Sequence, residues 1–330
     1  MKMSLSRCVL AAAIAGLAVS SAQAETTLRM AHFWPGPSGV NEDVLQAWAD
    51  TIAEESNGDL TIQMFPAGTL AKPDSIYEAA ANGIADIGAT AQGYTAGRFP
   101  LSQIVELPGV ASTATQGACV LQTLYDDGHL DSEYEDTRPL FMFTTGPGGI
   151  HTIDTDVQTP AAVAGEMLEN MGASPVGMPA PDIYTSMQRG VIDGLSFPWE
   201  GLKGFRINEL VSYHTEVPFY TLIFVATMNQ RAYDNLTPEQ QAVIDNNSGM
   251  KWAENAGKVF DRLDVEGKQE AADAGHTIRE IENPLAHPDW QEPLETGIEN
   301  YLTQLEERGL EQARDVYQAA LAASESCGTQ

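Results

Sequence analysis

The block "PDSIYEAAANGIADIGATAQGY" (73–94) returns later in the chain as "PDIYTSMQRGVIDGLSFPWE" (181–200). Both copies open on Pro-Asp and pass through Ile-Tyr in a helical stretch. Both stop at a glycine, Gly83 or Gly190, and then run through a short apolar segment containing Asp86 or Asp193. Each ends in a loop that carries aromatic residues. A proline-led helix, a glycine stop and a short strand form one step of a strand–helix alternation. Two copies predict two lobes of like construction, each presenting an aromatic loop to a shared cleft.

The rest of the chain keeps that rhythm. "TTLRMAHFW" (26–34) reads as a strand. "GVNEDVLQAWADTIAEES" (39–56) reads as a helix with Val44, Leu45, Trp48 and Ile52 at helical spacing, and "DLTIQMFP" (59–66) as an alternating strand. Further on, "RPLFMFTTGPGGIHTI" (138–153) is an apolar strand running into a glycine-rich stretch, "AAVAGEMLENMG" (161–172) a helix and "ASPVGMP" (173–179) a short strand. The alternation predicts an α/β fold of mostly parallel sheets with helices on both faces. "TEVPFYTLIFVATMNQRAYDNL" (215–236) is apolar and long enough to cross between lobes. The stretch 237–275 reads as a helix with Thr237 as N-cap and a kink at Gly249, followed by a final helical region over 289–324.

The amino terminus decides the compartment. Lys2 and Arg7 precede an apolar run from Val9 to Val19, and small residues lead to Ala22-Gln23-Ala24, the pattern of a cleaved secretory signal. The run is shorter than the ~20 residues a membrane helix needs, so residues 1–24 are expected to leave and the product to be exported, with no direct membrane insertion. Loss of Lys2 and Arg7 moves the formal charge from −29 to −31, an excess that repels nucleic acid and anionic lipid. A solvated acidic coat suited to a salty medium accounts for it, since salt screens exposed charges beyond ~8 Å. Cys8 leaves with the signal, and Cys119 and Cys327 allow at most one disulfide.

In open α/β sheets, ligands gather beyond the carboxyl ends of the strands. Phe33 and Trp34 sit there, as do Gln92 and Tyr94 of the first lobe. Buried, the two rings are ordinary core; at the mouth of a cleft they are a ligand platform. Across the cleft stand Thr144 and Thr145, then His151 after the "GPGG" turn (146–149), and Phe197 with Trp199 as a second platform. Glu200 is placed to orient a ligand hydroxyl or a metal, or to be solvated. Arg98 and Arg206 read as loop anchors. The chain has no HExxH, GxSxG, GxxxxGK[ST] or CxxC motif. Its six histidines lack metal-ligand spacing, so neither catalytic residues, a cofactor nor a metal is expected.

"AHFWPG", "GTLAKPDSIYEAAANGIADIG", "GYTAGRFPLSQIVELPG", "AGEMLENMGASPVGMP", "IYTSMQRGVIDGLSFPWE" and "LTPEQQAVID" together resemble the DctP-type solute receptors of tripartite ATP-independent periplasmic (TRAP) transporters. The resemblance covers Thr26 to about Glu307. It implies a two-lobed periplasmic-binding-protein clamshell of the type II kind, which closes over a small organic acid and delivers it to a membrane permease. The lobes expected are 25–137 with about 226–250, and 138–225 with about 251–307, leaving 308–330 as an acidic tail or helix end. In such receptors a strand after the second lobe's first segment ends in an arginine that grips the ligand carboxylate. Here "VQTPAAVAGEML" (157–168) has neither strand nor arginine. His151, where some relatives carry a second basic contact, is then the expected surviving donor. The alternatives are a ligand-sensing subunit for a membrane signalling partner, a variant impaired in binding, and an exported enzyme on the same fold.

Overall fold

The computed structural model describes residues 25–157 and 177–328. The signal segment, the helix over 161–172, the missing arginine strand near 160 and most of the segment 173–179 lie outside the described residues. The strands are β1 (Thr26–His32), β2 (Leu60–Phe65), β3 (Ile87–Ala91), β4 (Thr137–Thr144), β5 (Gly149–Thr152), β6 (Gly194–Phe197), β7 (Tyr213–Glu216), β8 (Ile223–Asn229) and β9 (Thr277–Glu280). Among the described residues they form two sheets, ordered β2-β1-β3-β8-β4 and β6-β5-β7-β9. The fold is the two-lobed α/β clamshell.

Each sheet is parallel except for one strand. β8 runs antiparallel to β3 and β4 in the first sheet, and β5 runs antiparallel to β6 and β7 in the second. Each is reached by a short crossing straight from a strand of the other sheet. The crossings are 145–148, between β4 and β5, and 217–222, between β7 and β8. They lie side by side: Thr145 N–H donates to the Leu222 carbonyl (2.9 Å), Leu222 N–H to Thr145 Oγ1 (3.0 Å), and Gly148 N–H to the Tyr220 carbonyl (2.8 Å). A two-stranded ribbon of this kind is a hinge whose bending leaves both sheets intact.

The duplicated block builds one helix–strand step per lobe, α2 (Ile76–Ala81) with β3 and α4 (Ala180–Gln188) with β6. Gly83 and Gly190 follow these helices with φ of +74° and +67°, a conformation that glycine adopts without steric penalty. Ahead of the first copy, the helical run Asn41–Gln46 and α1 (Ala47–Glu55) bury Val44, Leu45, Trp48 and Ile52, the spacing read in the sequence. Helix α3 (Ala114–Asp126) covers the first sheet.

Two boundaries differ from expectation. β4, expected to open the second lobe at 138, pairs with β8 in the first sheet, so the crossing falls after Thr144. Its buried Phe141 and Phe143 pack on Trp48, Trp34, Phe224 and Phe260, all in one core cluster, and that holds the strand there. The carboxyl-terminal region is two packed helices rather than a tail. α9 (Gln291–Glu307) and α10 (Ala313–Cys327) meet at Gly309 and bury Leu302, Leu305, Val316 and Ala320 against α3 residues of the first lobe. A disulfide joins Cys119 of α3 to Cys327 of α10.

A short helix α5 (Trp199–Gly204) follows β6, and after β8 come α6 (Gln230–Asp234), α7 (Pro238–Asn246) and α8 (Met250–Asp273). Thr237 and Gln240 form a reciprocal capping box on α7, and the expected kink at Gly249 is a full break ahead of α8. α8 packs on both lobes, against α3 and β4 on one side and α5 on the other. It does so through glycine. A Cβ on Gly257 would stand 2.6 Å from the Thr115 Cα, and one on Gly267 would run into the Trp199 carbonyl. Gly257→Ala must push α8 off α3, an overpacking expected to remove about 1–3 kcal/mol of stability, measured by urea unfolding. Cys327→Ser, which opens a loop of 208 residues, is expected to lower stability by about 2–5 kcal/mol in the same assay.

Candidate functional site

A cavity of about 490 Å³ lies between the two sheets, beyond the strand ends. The first lobe contributes Phe33 and Trp34 just after β1, Gly93 and Tyr94 just after β3, and Gln103 with Glu106 from the turn Ser102–Glu106. The hinge ribbon contributes Thr145 and Leu222, with Phe224 on β8. From the second lobe come Gly177 to Ala180, Phe197 and Pro198 at the end of β6, Glu200 of α5, and Phe205 after it. Six aromatic side chains thus wall one volume. Phe33 and Phe205 stack across the cleft with planes 5° apart and centroids at 6.4 Å. Tyr94 Oη accepts the Ala180 N–H at 2.9 Å, a second contact between lobes. The lobes are therefore closed on each other.

Of the nine residues expected to meet a ligand, Phe33, Trp34, Tyr94, Thr145, Phe197 and Glu200 line this cavity. Phe33 and Trp34 are also core: they stack at 4.0 Å and pack on Phe224 with exposures of 2% and 1%, so the platform is the cavity-facing edge of the first lobe's core. Gln92, His151 and Trp199 do not line it. Gln92 is buried beneath the loop it begins. Trp199 packs against both His151 and His214 and donates its Nε1–H to Glu216 Oε1 at 3.2 Å.

His151 is buried in a chain of three histidines. Its Nε2 meets the Phe197 carbonyl at 2.9 Å, its Nδ1 meets His214 Nδ1 at 2.8 Å, and His214 Nε2 meets His276 Nδ1 at 3.0 Å. A carbonyl can only accept, so His151 donates from Nε2 and receives from His214, which in turn receives from His276. Burial, with the neighbouring ring second, pushes His151 down to about 3 and His214 to about 4. His151 is therefore neutral and positions Phe197 rather than offering a cation. Arg98 pairs with Asp136, and Arg206 with Glu209 at 2.7 Å, as loop anchors.

Sequence reasoning missed Phe205, Phe224, Gln103 and Glu106. Phe205 follows the second aromatic loop by one helical turn, a signal that was present. Glu106 sits in "QIVELPG" with nothing local to mark it. Its Oε1 accepts the Ile223 N–H at 3.1 Å, and burial raises its carboxyl to about 7. Glu200 is 5% exposed; burial, then the charge of Asp264, raises it to about 8. Asp264, on α8, accepts the Glu200 N–H at 2.6 Å, and its own burial raises it to about 7. Among the described lining residues there is no Lys or Arg. No described group of three or more His, Cys, Asp or Glu is disposed to hold a metal.

The family model described as DctP, bacterial extracellular solute-binding protein, family 7, matches residues 30–148 and 154–304. Among solved structures, a TRAP solute binding protein from Rhodoferax ferrireducens T118, in complex with copurified benzoate, is 31% identical. It superposes with a TM-score of 0.85, covering 92% of this chain and 99% of that one. A marine metagenome TRAP solute binding protein from an unidentified microbe, described as specific for aromatic acid ligands and in complex with 3-hydroxybenzoate, gives the same identity, coverage and score. Among curated relatives, the ectoine/5-hydroxyectoine-binding periplasmic protein UehA of Ruegeria pomeroyi is 27% identical over 268 residues, 72% of this chain and 74% of that protein.

The carboxyls of Glu106, Glu200 and Asp264 all titrate higher in the fold than in an unfolded chain, where they fall near 4. Their contribution to stability is fully present below pH ~4 and is lost as pH rises through 7 and 8. Asp264→Asn, which keeps an acceptor for the Glu200 N–H, is expected to shrink the fall in melting temperature between pH 5 and pH 8, measured by thermal unfolding.

Proposed function

This chain belongs to the bacterial extracellular solute-binding protein family 7, DctP, and from that premise we propose that it is a periplasmic receptor for a small aromatic carboxylate. One observation carries the aromatic part: a cavity between the touching lobes walled by Phe33, Trp34, Phe197, Phe205 and Phe224. Stacked and edge-on rings each add roughly 0.5–1.5 kcal/mol beyond the area they bury, and a sugar acid would leave most of that unused. The benzoate and hydroxybenzoate receptors that resemble this chain at 31% identity support the same ligand class.

The mechanism is capture by hinge closure. With the lobes apart, the ligand reaches Phe33 and Trp34 on the first lobe. Bending of the ribbon 145–148/217–222 then brings Phe205 and Phe197 onto its other face, and the Tyr94 hydroxyl meets the start of α4. Those contacts exist only in the closed form, so ligand binding shifts the population towards it. We assign 25–144, β8 and the helices that cover them to one lobe, and β5, β6, β7 and β9 to the other, with α8 spanning both. The closed form docks to the membrane subunits of a TRAP permease, and the signal segment, cleaved after Ala24, brings the receptor to the periplasm. The ligand is released chemically unchanged.

Calorimetry of the mature protein against benzoate, 3-hydroxybenzoate, mandelate and glucuronate is expected to show binding of the aromatic acids and none of glucuronate; preference for glucuronate would sink the reading. Phe205→Ala is expected to weaken benzoate binding by about 1–3 kcal/mol with an unchanged melting temperature of the unliganded protein.

A further inference from the structure

An aromatic acid enters this cavity as an anion, and the described lining offers it no cation. The segment 158–176, which lies outside the described residues, contains no Lys or Arg in its sequence. The ionisable side chains that do face the cavity are Asp74, Glu106, Glu200 and the Tyr94 phenol. Three cations, Lys203, Arg206 and Arg262, line a neighbouring cavity in which Glu200 also takes part. Each is already committed: Lys203 to Glu266 at 2.6 Å, Arg206 to Glu209, and Arg262 to Asp43 and to Glu266 at 2.9 Å. A carboxylate desolvated among rings and ionised acids would be strongly disfavoured.

Glu200 breaks the impasse. It is 95% buried by its 5% exposure, and its Oε1 has no hydrogen-bond partner among the described residues. Glu106, by contrast, already accepts from Ile223 N–H and, at 3.5 Å, from Gln103 Nε2. Resting on the aromatic-acid reading above, we propose that Glu200 holds the ligand carboxylate as a neutral carboxylic acid, donating an O–H hydrogen bond in place of a cation. The proton comes from solvent: when the open form holds Glu200 ionised, closure over the anion takes up one proton and the net charge of the site does not change. Two hydroxyls complete the donor set. Tyr94 Oη accepts from Ala180 N–H and Thr145 Oγ1 from Leu222 N–H, which leaves each O–H to donate into the cavity.

The surroundings favour the neutral form. Asp264 of α8 stands behind Glu200 at its backbone N–H, and Asp74 and Glu106 face it across the cavity. The cations on its own side are held by Glu266, Glu209 and Asp43. Burial is the larger cause of its raised titration and Asp264 the second. An O–H donated to a carboxylate is among the stronger hydrogen bonds, comparable in kind to those that ionised donors make.

Calorimetric titration of the full mature chain with benzoate from pH 6 to pH 10, in buffers of different ionisation heat, reads affinity and proton exchange together. Affinity is expected to fall about tenfold per pH unit above the pH at which Glu200 ionises in the free receptor, with uptake approaching one proton per benzoate over that range. Glu200→Gln keeps a donor but cannot ionise, and is expected to abolish both the slope and the uptake. Level affinity to pH 10 without uptake in the unaltered chain would overturn the proposal, as would a slope that survives in Glu200→Gln and vanishes in Glu106→Gln. If Glu200→Gln fails to melt cooperatively, the uptake measured on the unaltered chain decides alone. Absence of binding by every aromatic acid at every pH would instead overturn the receptor reading on which this rests.

Discussion

The architecture turns on the seating of one helix. α8 touches backbone directly at Gly257 and Gly267, against α3 of the first lobe and α5 of the second. Between those points the same face carries Asp261 and Asp264. Asp261 accepts from the Ala114 and Thr115 N–H groups (2.6 and 3.1 Å) at the start of α3, and Asp264 from Glu200 at the start of α5. A carboxylate at a helix amino terminus satisfies orphan donors and meets the positive end of the dipole. Helix α8 therefore fixes where α5 begins, and so where Glu200 and Phe205 point.

The hinge ribbon and α8 make different demands on closure. The ribbon bends at 145–148 and 217–222 without breaking either sheet, whereas α8 must keep its grip on α3 while α5 moves with the second lobe. The two glycines are not equivalent in this respect. At Gly257 the neighbour is main chain of a helix packed deep in the first lobe, through Ala114 and Ala118. At Gly267 the neighbour is the Trp199 carbonyl, at the start of a helix of six residues. The second contact is the smaller, made against the start of a short helix rather than against one packed deep in the first lobe.

Much of this was legible because local rules are strong where the chain repeats. The duplicated block announces its helices, its glycine stops and its strands without tertiary context, and six of the nine expected contact residues reach the cavity because strand ends in α/β sheets converge. The misses have different physical origins. His151 and Trp199 lie in or beside the expected strand ends, but a strand alternates its faces, and theirs are turned into the second lobe's own core with His214. Glu106 could not be found because its position depends on the Ser102–Glu106 turn folding against β8, a contact between residues more than a hundred positions apart. The β4 boundary failed because an apolar strand followed by glycines looks the same whether it closes one sheet or opens the next.

The acidic surface, a puzzle for an anion receptor, fits a neutral-acid site. With a formal charge of −29, the protein's own potential makes every internal carboxyl harder to ionise, and salt screens that potential far less in a closed cavity than at the surface. A buried arginine in such a protein would be drawn to the nearest of many carboxylates, as Lys203, Arg206 and Arg262 are, and would have to be protected from them to remain available to a ligand. A protonated carboxylic acid needs no such protection. It is stabilised by the same desolvation that closure imposes, and it accepts an anion without adding a charge to be buried. Excess acid elsewhere in the fold then works for the site rather than against it, because it favours the neutral donor once the lobes close on the ligand.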